Sequence, residues 1–537
     1  MGATTLCTRQ DVAARILAGE HLIIYHDLLL RIPQSWLDAH PGGSLALLHF
    51  VGRDATDEIE AYHSDNTLKM VKRFSIGRVD LVDSAWEPFV PPIMTGWVRK
   101  LNADGKQEWH REAAAAHSTE NTPQSPSSQI LLVDKDDPSL QSQSHTPTLA
   151  TLSPPPTDLS PKVQTRHSKA YRELHRRVTE AGLYKTPYLT GYGPEVARYC
   201  LLAGISAYAY SHSWLITSAI ALGLMWHQLV FTAHDLGHMG VTHNWVIDRM
   251  LGIFIADFIG GLSIGWWVDN HNVHHLVTNH PSHDPDIEHL PFFAISPAFL
   301  SSLWSSYYKR IMHFDKFAKI VITIQHKLFY IVMAFARFNL YALSYGFLFK
   351  KAFDTKRARG GKWAFRLEIC GLMFFWSWYG RVLYGCGSWQ KALMFLLVSH
   401  IVPSPLHVQI VLSHFSMSTA DLGPTESFVH RQMRTTTDVI CSDNIAFLHG
   451  GLHLQVTHHL FPRLPRHNLR KASQLVKEFA KEQGLVYAEF GFVNGNKEVL
   501  GVLRSVAEQV KIVGKVASFE AREAVDKRIA EQERKGK

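Results

Sequence analysis

His234-Asp-Leu-Gly-His238, His271-Asn-Val-His274-His275 and Gln455-Val-Thr-His458-His459 are the stretches on which the reading of this chain turns. The first lies just after a long apolar run, and the third comes far downstream after more of them. His234 and His238 stand four residues apart, so on one helix they share a face. His271 shares a face with both His274 and His275, whereas those two neighbours diverge by about 100° on a helix of 3.6 residues per turn. That divergence suits two metal ions better than one. Neutral imidazole is a good ligand for iron, copper and zinc, and carboxylates are scarce inside the motifs. A single histidine is more often a core or surface residue than a ligand. Three clusters beside apolar runs instead predict one metal site at a membrane face.

The 537 residues have a mean hydropathy of −0.06, which hides strong segregation, with apolar runs between 199 and 413 and polar ends. Tyr199 to Phe231 carries no charge and would make roughly 50 Å of helix, too long for one span. Ser211-His212-Ser213 near its middle predicts a hairpin of two short spans, the second running into His234. Residues 251–268 are apolar but broken by Asp257 and glycines, and are expected to be interfacial or packed within the fold. Of the later candidates 328–349, 366–386 and 390–413, the first holds Arg337 and is expected to lie at the interface, which leaves four spans. The basic stretch from Lys350 to Lys362 then faces the cytosol. Met1 to Glu20 has no continuous apolar core, so no signal peptide is read and a cytosolic N-terminus is expected.

The formal charge is +8, but no basic stripe with interleaved aromatics is present, so no nucleic-acid partner is expected. Cys7, Cys200, Cys370, Cys386 and Cys441 are scattered and form no CxxC, against a disulfide framework or a thiolate metal site.

Near the N-terminus, short apolar runs alternate with turns up to His40-Pro-Gly-Gly43, where Pro41 fixes φ and the glycines permit a sharp bend. Gly52-Arg-Asp-Ala-Thr56 and then His63-Ser64 follow. In this order the motifs resemble cytochrome b5 over residues 8–83. The resemblance implies a small α+β domain in which His40 and His63 are the axial ligands of haem b. With both iron faces taken, such a domain carries electrons rather than binding oxygen. Residues 84–114 are expected to be a mixed, partly helical connector. Residues 115–165 are rich in Ser, Thr, Gln and Pro, including Ser153-Pro-Pro-Pro-Thr157, and are expected to be a disordered tether.

The three histidine boxes resemble those of the membrane fatty-acyl and sphingolipid desaturases. Gln455 and the fused cytochrome b5 resemble the front-end subgroup. The resemblance covers 8–83 and 170–490 and implies a multi-domain chain: an α+β haem domain, then an all-α membrane domain with about four transmembrane helices and a cytosolic di-iron cap. Residues 491–537 form a charged, helical tail. By this resemblance His234, His238, His271, His274, His275, His458 and His459 hold two irons and carry the catalysis, and a further histidine comes from the last span. His414 in Gln409-Ile-Val-Leu-Ser-His414-Phe415 is the candidate. Gln455 is a poor donor beside imidazole and is expected to ligate weakly or through water. Asn272, Asn279, Asp284 and Asp286 are expected to orient the ligand imidazoles. His449 and His453 receive no ligand role.

The long Ser/Pro linker, His49-Phe-Val-Gly-Arg-Asp-Ala-Thr-Asp-Glu58 and His458-His-Leu-Phe-Pro-Arg-Leu-Pro-Arg-His467 look like the fungal Δ8-sphingolipid desaturases. That family places a trans double bond at C8 of a ceramide long-chain base, using O2. Its electrons come from NADH through a separate cytochrome b5 reductase, and no GxGxxG fingerprint here points to a reductase within the chain. The resemblance also implies a multi-pass protein of the endoplasmic-reticulum bilayer with both termini and the active site cytosolic. A Δ6-like acyl desaturase and a hydroxylase on the same scaffold stay open. A histidine-rich metal transporter with a haem sensor calls instead for ligands in mid-span, whereas these boxes sit at or beyond span ends.

Overall fold

The computed structural model describes residues 6–81, 85–112, 146–354 and 361–535. The N-terminal unit is a four-stranded sheet in the order Leu6–Cys7, Ser75–Val79, Leu28–Arg31, Leu22–Tyr25, with short helices around it. Leu22–Tyr25 and Leu28–Arg31 form an antiparallel hairpin closed by His26 at φ 56°. Val12, Ile16, Leu22, Ile24, Leu29 and Val51 make the core beneath the sheet.

The connector's helical part is one short 3-10 turn, Pro92–Thr95, and its main element is a β-hairpin, Trp97–Leu101 against Gln107–Arg111. The expectation for the segment after it needs correction. The tether expected over 115–165 is ordered in its last part. Leu149–Leu152 is a helix whose Leu152 is fully buried in the N-terminal core, and Pro161 opens the long helix Pro161–Glu180. Burial of one leucine and a proline-started helix outweigh the polar composition. The rest of that tether, up to residue 145, lies outside the described residues, as do 355–360 of the expected basic stretch.

The remainder is helical. Gly193–Ser211 and Leu215–Gly237 form an antiparallel hairpin that turns at Ser213, where φ is 61°. Trp245–Ile259 and Ile264–Leu276 meet at a 113° bend, with Asp257 buried beside it. Among the described residues three helices are long and apolar enough to cross a membrane: Leu215–Gly237, Lys316–Ala334 and Trp389–Phe415. The bent pair makes a fourth if counted as one. The number agrees with the sequence reading, but the membership does not. The expected interfacial helix at 328–349 straddles two helices that break at Phe335, and the apolar one lies on the N-terminal side. Gly361–Tyr384 is long enough, but it falls short in this comparison because Glu368, Arg381 and several Trp and Tyr residues lower its hydropathy. Gly193–Ser211 also falls outside the set.

A cap closes one end of these helices, built from Phe428–Thr435, Gln455–Leu460 and the amphipathic Leu469–Gln483. Pro161–Glu180 packs on it through Tyr171, Leu174 and Val178. Phe492–Lys535 is one helix, as the charged tail predicts, but its first half is structural. Val499, Leu503, Val506 and Val510 are buried with Ile322, Phe329 and Met333 of Lys316–Ala334, and Gln325 Nε2 donates to the Leu503 carbonyl at 2.8 Å. Leu503→Ala is expected to cost about 2–5 kcal/mol through the cavity it leaves. Thermal unfolding of the detergent-solubilised protein should show a lowered midpoint, while Ile512→Ala, at a residue 61% exposed on the same helix, leaves it in place.

Candidate metal and haem centre

His40 ends the helix Gln34–Ala39, and the turn that follows uses Gly43 at φ +82°, where a Cβ would stand 2.7 Å from Asp269 Oδ1. His63 ends the helix Thr56–Tyr62. Each ring spends its Nδ1 on a backbone carbonyl, His40 on Gly43 at 3.0 Å and His63 on Ile59 at 2.8 Å. Nδ1–H must therefore donate, which leaves Nε2 as the free lone pair on both rings. The ring centroids lie 6.1 Å apart, the spacing of two imidazoles that share one ion at metal–nitrogen bonds of about 2 Å. Burial, and then the His63 charge, push the His40 ring down to about 4, so it is neutral and able to ligate. The cavity between the two rings has a volume of about 710 Å³ and apolar walls from Ile23, Leu47, Phe50, Ile59 and Met70. These residues fit a bis-histidine haem.

The same cavity is walled on its far side by His238, Met239, Trp245, Asn272 and Leu276 of the helical domain. The haem unit is thus seated against the helix ends that carry the first two boxes. Arg172 pairs with Asp57 at 2.7 Å, and His49 Nε2 lies 3.1 Å from Ser306 Oγ. Leu276 belongs to the haem unit's core beside Ile23, Leu37 and Phe50, and Ala61 belongs to the cap's core beside Tyr171 and Phe461.

The three boxes converge although the third lies nearly two hundred residues downstream. His234 sits in the last turn of Leu215–Gly237 and His238 caps it. His271, His274 and His275 lie in the last turns of Ile264–Leu276, and His458 and His459 on the short Gln455–Leu460. Gly237 is required where it stands, since a Cβ there would lie 2.1 Å from the Trp267 ring, which packs on His234, His238 and His271.

Two groups of ligand atoms result, each within 4.8 Å: His234, His238, His271 and His458 in one, His274, His414 and His459 in the other. A third overlapping set joins His271 and His274 to Asp286. His414 stands at the end of Ser404–Phe415, its ring 4.5 Å from that of His274 and 4.8 Å from that of His459. Gln455 Nε2 is 3.4 Å from His414 Nε2, beside the second group. His275 belongs to neither group and stands between them, its Nε2 3.0 Å from His271 Nε2 and 3.2 Å from His458 Nε2.

His238 Nε2, His459 Nε2 and Gln455 Oε1 are buried without a hydrogen-bond partner. Buried polar atoms are seldom left so, and bound cations would satisfy all three. Burial first, and the neighbouring rings second, hold His238, His458 and His459 well below the ordinary histidine range. The rings are neutral, as metal ligation demands. Imidazoles with a carboxylate at their edge fit iron, as they also fit copper and zinc.

The outer partners are only partly those expected. His274 Nδ1 donates to Asp284 at 2.9 Å and His271 Nδ1 approaches Asp286 at 3.4 Å. Asn279 Nδ2 donates to the His414 carbonyl at 2.8 Å and its backbone N–H to Asp284 at 2.7 Å. Asn272 faces the haem cavity instead of an imidazole. Sequence reasoning missed Gln432, whose Oε1 accepts from His459 Nδ1 at 3.0 Å and whose Nε2 donates to the His275 carbonyl at 2.7 Å. It also missed a buried clamp in which Arg466 Nη1 pairs with Asp235 at 2.6 Å and Nη2 with Glu195, while the Tyr192 hydroxyl donates to Asp235 at 2.6 Å. This clamp ties the first box to the segment behind the third. His449 stays outside the groups, its Nδ1 against Gln409 Oε1 at 2.5 Å.

Comparison with known proteins agrees with both halves. A family model described as fatty acid desaturase matches residues 211–491, and one described as cytochrome b5-like haem/steroid binding domain matches 8–80. The chain is similar to the Delta 8-(E)-sphingolipid desaturase of Emericella nidulans, 44% identical over 95% of each chain. It is also 44% identical to that of Komagataella phaffii, over 94% of each. Similarity to the Delta(8)-fatty-acid desaturase of Helianthus annuus is 35% over 64% of this chain and 74% of that one.

Asp284→Asn is expected to lower iron affinity about 10–100-fold, because the amide no longer holds the His274 ring as a carboxylate does. Iron per protein after dialysis against a weak chelator measures it, with the Soret band of the haem unit unchanged.

Proposed function

Because the chain belongs to the fatty acid desaturase family and carries a cytochrome b5-like domain, we propose that it acts on a ceramide long-chain base. It removes two hydrogens from C8–C9 and leaves a trans double bond. The chain is a membrane desaturase, an oxidoreductase; the substrate and position are the finer reading. The observation that carries this reading is the identity of 44% over nearly the whole chain to relatives named for that reaction. A Δ6-like acyl desaturase or a hydroxylase would share the scaffold.

In this reading His234, His238, His271 and His458 hold one iron and His274, His414 and His459 the other, with His275 between them and Gln455 beside the second. When bound, the irons supply the oxidant made from O2 and two electrons, strong enough to break an unactivated C–H bond. The protein's share is positional. Asp284, Asp286 and Gln432 fix which ring nitrogen faces inward, and the Arg466–Asp235–Glu195 clamp holds the first and third boxes together. The imidazoles are buried, and burial holds His238, His458 and His459 neutral and ready to ligate. His40 and His63 hold haem b at the wall that ends in His238, which suits one-electron delivery within the chain. The electrons enter from NADH through a separate cytochrome b5 reductase. The site faces the cytosol from the endoplasmic-reticulum membrane, with both termini on that side.

Lipid mass spectrometry tests this in a yeast host whose long-chain bases are saturated at C8, supplied with ceramide precursors and fatty acids. The expected product is a long-chain base two hydrogens lighter at C8–C9, absent with His459→Ala. Loss of hydrogen confined to fatty acyl chains would move the enzyme to the acyl branch, and an added oxygen would make it a hydroxylase.

A further inference from the structure

We propose that the ring of Tyr62 is the bridge by which electrons pass from the haem unit into the histidine cluster, with His275 as the point of entry. This rests on the reading of the haem as internal electron donor.

Tyr62 directly precedes His63 in the chain, so it is bonded to a haem ligand through one peptide unit. Its side chain lines the haem cavity and packs against the hydrophobic cores of both the haem unit and the cap. On the other side its ring meets His275 edge-on, at 6.3 Å between centroids and 89° between planes. The Tyr62 hydroxyl is buried and makes no hydrogen bond, so the position is not explained by the polar end of the side chain. What the site uses is the ring.

His275 is placed for such an entry. It falls outside both groups of converging ligand atoms, yet touches members of each. Its ring is stacked on His459 at 3.9 Å and lies 4.8 Å from both His238 and His458. An electron that reaches His275 is therefore next to either metal position. From the His63 ring the path crosses saturated carbon only at the Cα and Cβ atoms either side of the one peptide link, and from Tyr62 it runs ring to ring through His275 to the two groups. The competing way across is the shared cavity wall at His238 and Asn272.

In each passage the ferrous haem iron loses one electron and becomes ferric, and one iron of the cluster gains it; no bond or proton moves on Tyr62. Two passages, with two electrons and two protons from the substrate C–H bonds and two protons from water, reduce one O2 to two H2O.

Rapid-mixing spectroscopy of the full-length, iron- and haem-loaded protein reads the step directly. The haem is reduced in advance, mixed with O2 and substrate, and followed by its Soret band, which reports electron departure rather than product. Tyr62→Phe is expected to match the unaltered protein. Tyr62→Leu is expected to slow reoxidation several-fold, with iron content, haem midpoint potential and Soret position unchanged. Tyr62→Met serves in its place should the leucine variant lose haem or fold. Reoxidation as fast in Leu or Met as in the unaltered protein would overturn the bridge and favour the wall at His238. Loss in Phe equal to that in Leu would overturn it too, by making the hydroxyl the essential part. If the unaltered protein reoxidises no faster than His459→Ala, the haem is not the internal donor, and the underlying reading falls with the proposal.

Discussion

Histidines buried side by side are driven toward the neutral form, and at His274 the carboxylates of Asp284 and Asp286 outweigh burial and pull the other way. A proton on any one would place a cation, stripped of water, among neighbours that are themselves candidates for charge. That constraint shapes the site. A neutral imidazole has one donor and one acceptor nitrogen, so whatever accepts the N–H decides which nitrogen is left to meet a metal. Asp284 decides it for His274 and Gln432 for His459. Backbone carbonyls of Gly43 and Ile59 decide it for His40 and His63. The haem ligands and the box ligands thus obey one rule with different partners.

The helices serve this rule by delivering the rings from their ends. Leu215–Gly237 and Ser404–Phe415 each bring a histidine in their last turn, and the bend near Asp257 turns Ile264–Leu276 to add three more. Lodging such polar residues in mid-span would cost more, since lipid offers no partner for them. The Arg466 clamp is an ion-pair network buried in the same place, where its partners are already desolvated. Buried ion pairs of this kind are better explained by fixing one arrangement than by adding stability.

Much of this could be read from the sequence where the signal is local. HPGG, GRDAT and the spacing of the boxes lie within a few residues, and so does the Gln409–Phe415 stretch that singles out His414, which the fold brings beside His274 and His459. The unread parts are those that only folding assembles. Gln432 approaches His459 from 27 residues away, and Asp235 meets Arg466 across 231. Nothing in either neighbourhood marks them. The span at 316–334 was missed because the apolar window runs on past Phe335 into a second helix, and composition does not show the break. The order over 149–165 escaped for a similar reason, as one leucine finding a core leaves little trace in a polar stretch.

Leu276 follows His275 in the chain and lies in the core of the haem unit rather than that of its own domain. The helical turn that presents three box histidines is therefore finished by a residue whose packing belongs to the other cofactor's compartment. A shift of that one turn would therefore be felt in both compartments, in the haem unit's core through Leu276 and among the box ligands through His271, His274 and His275.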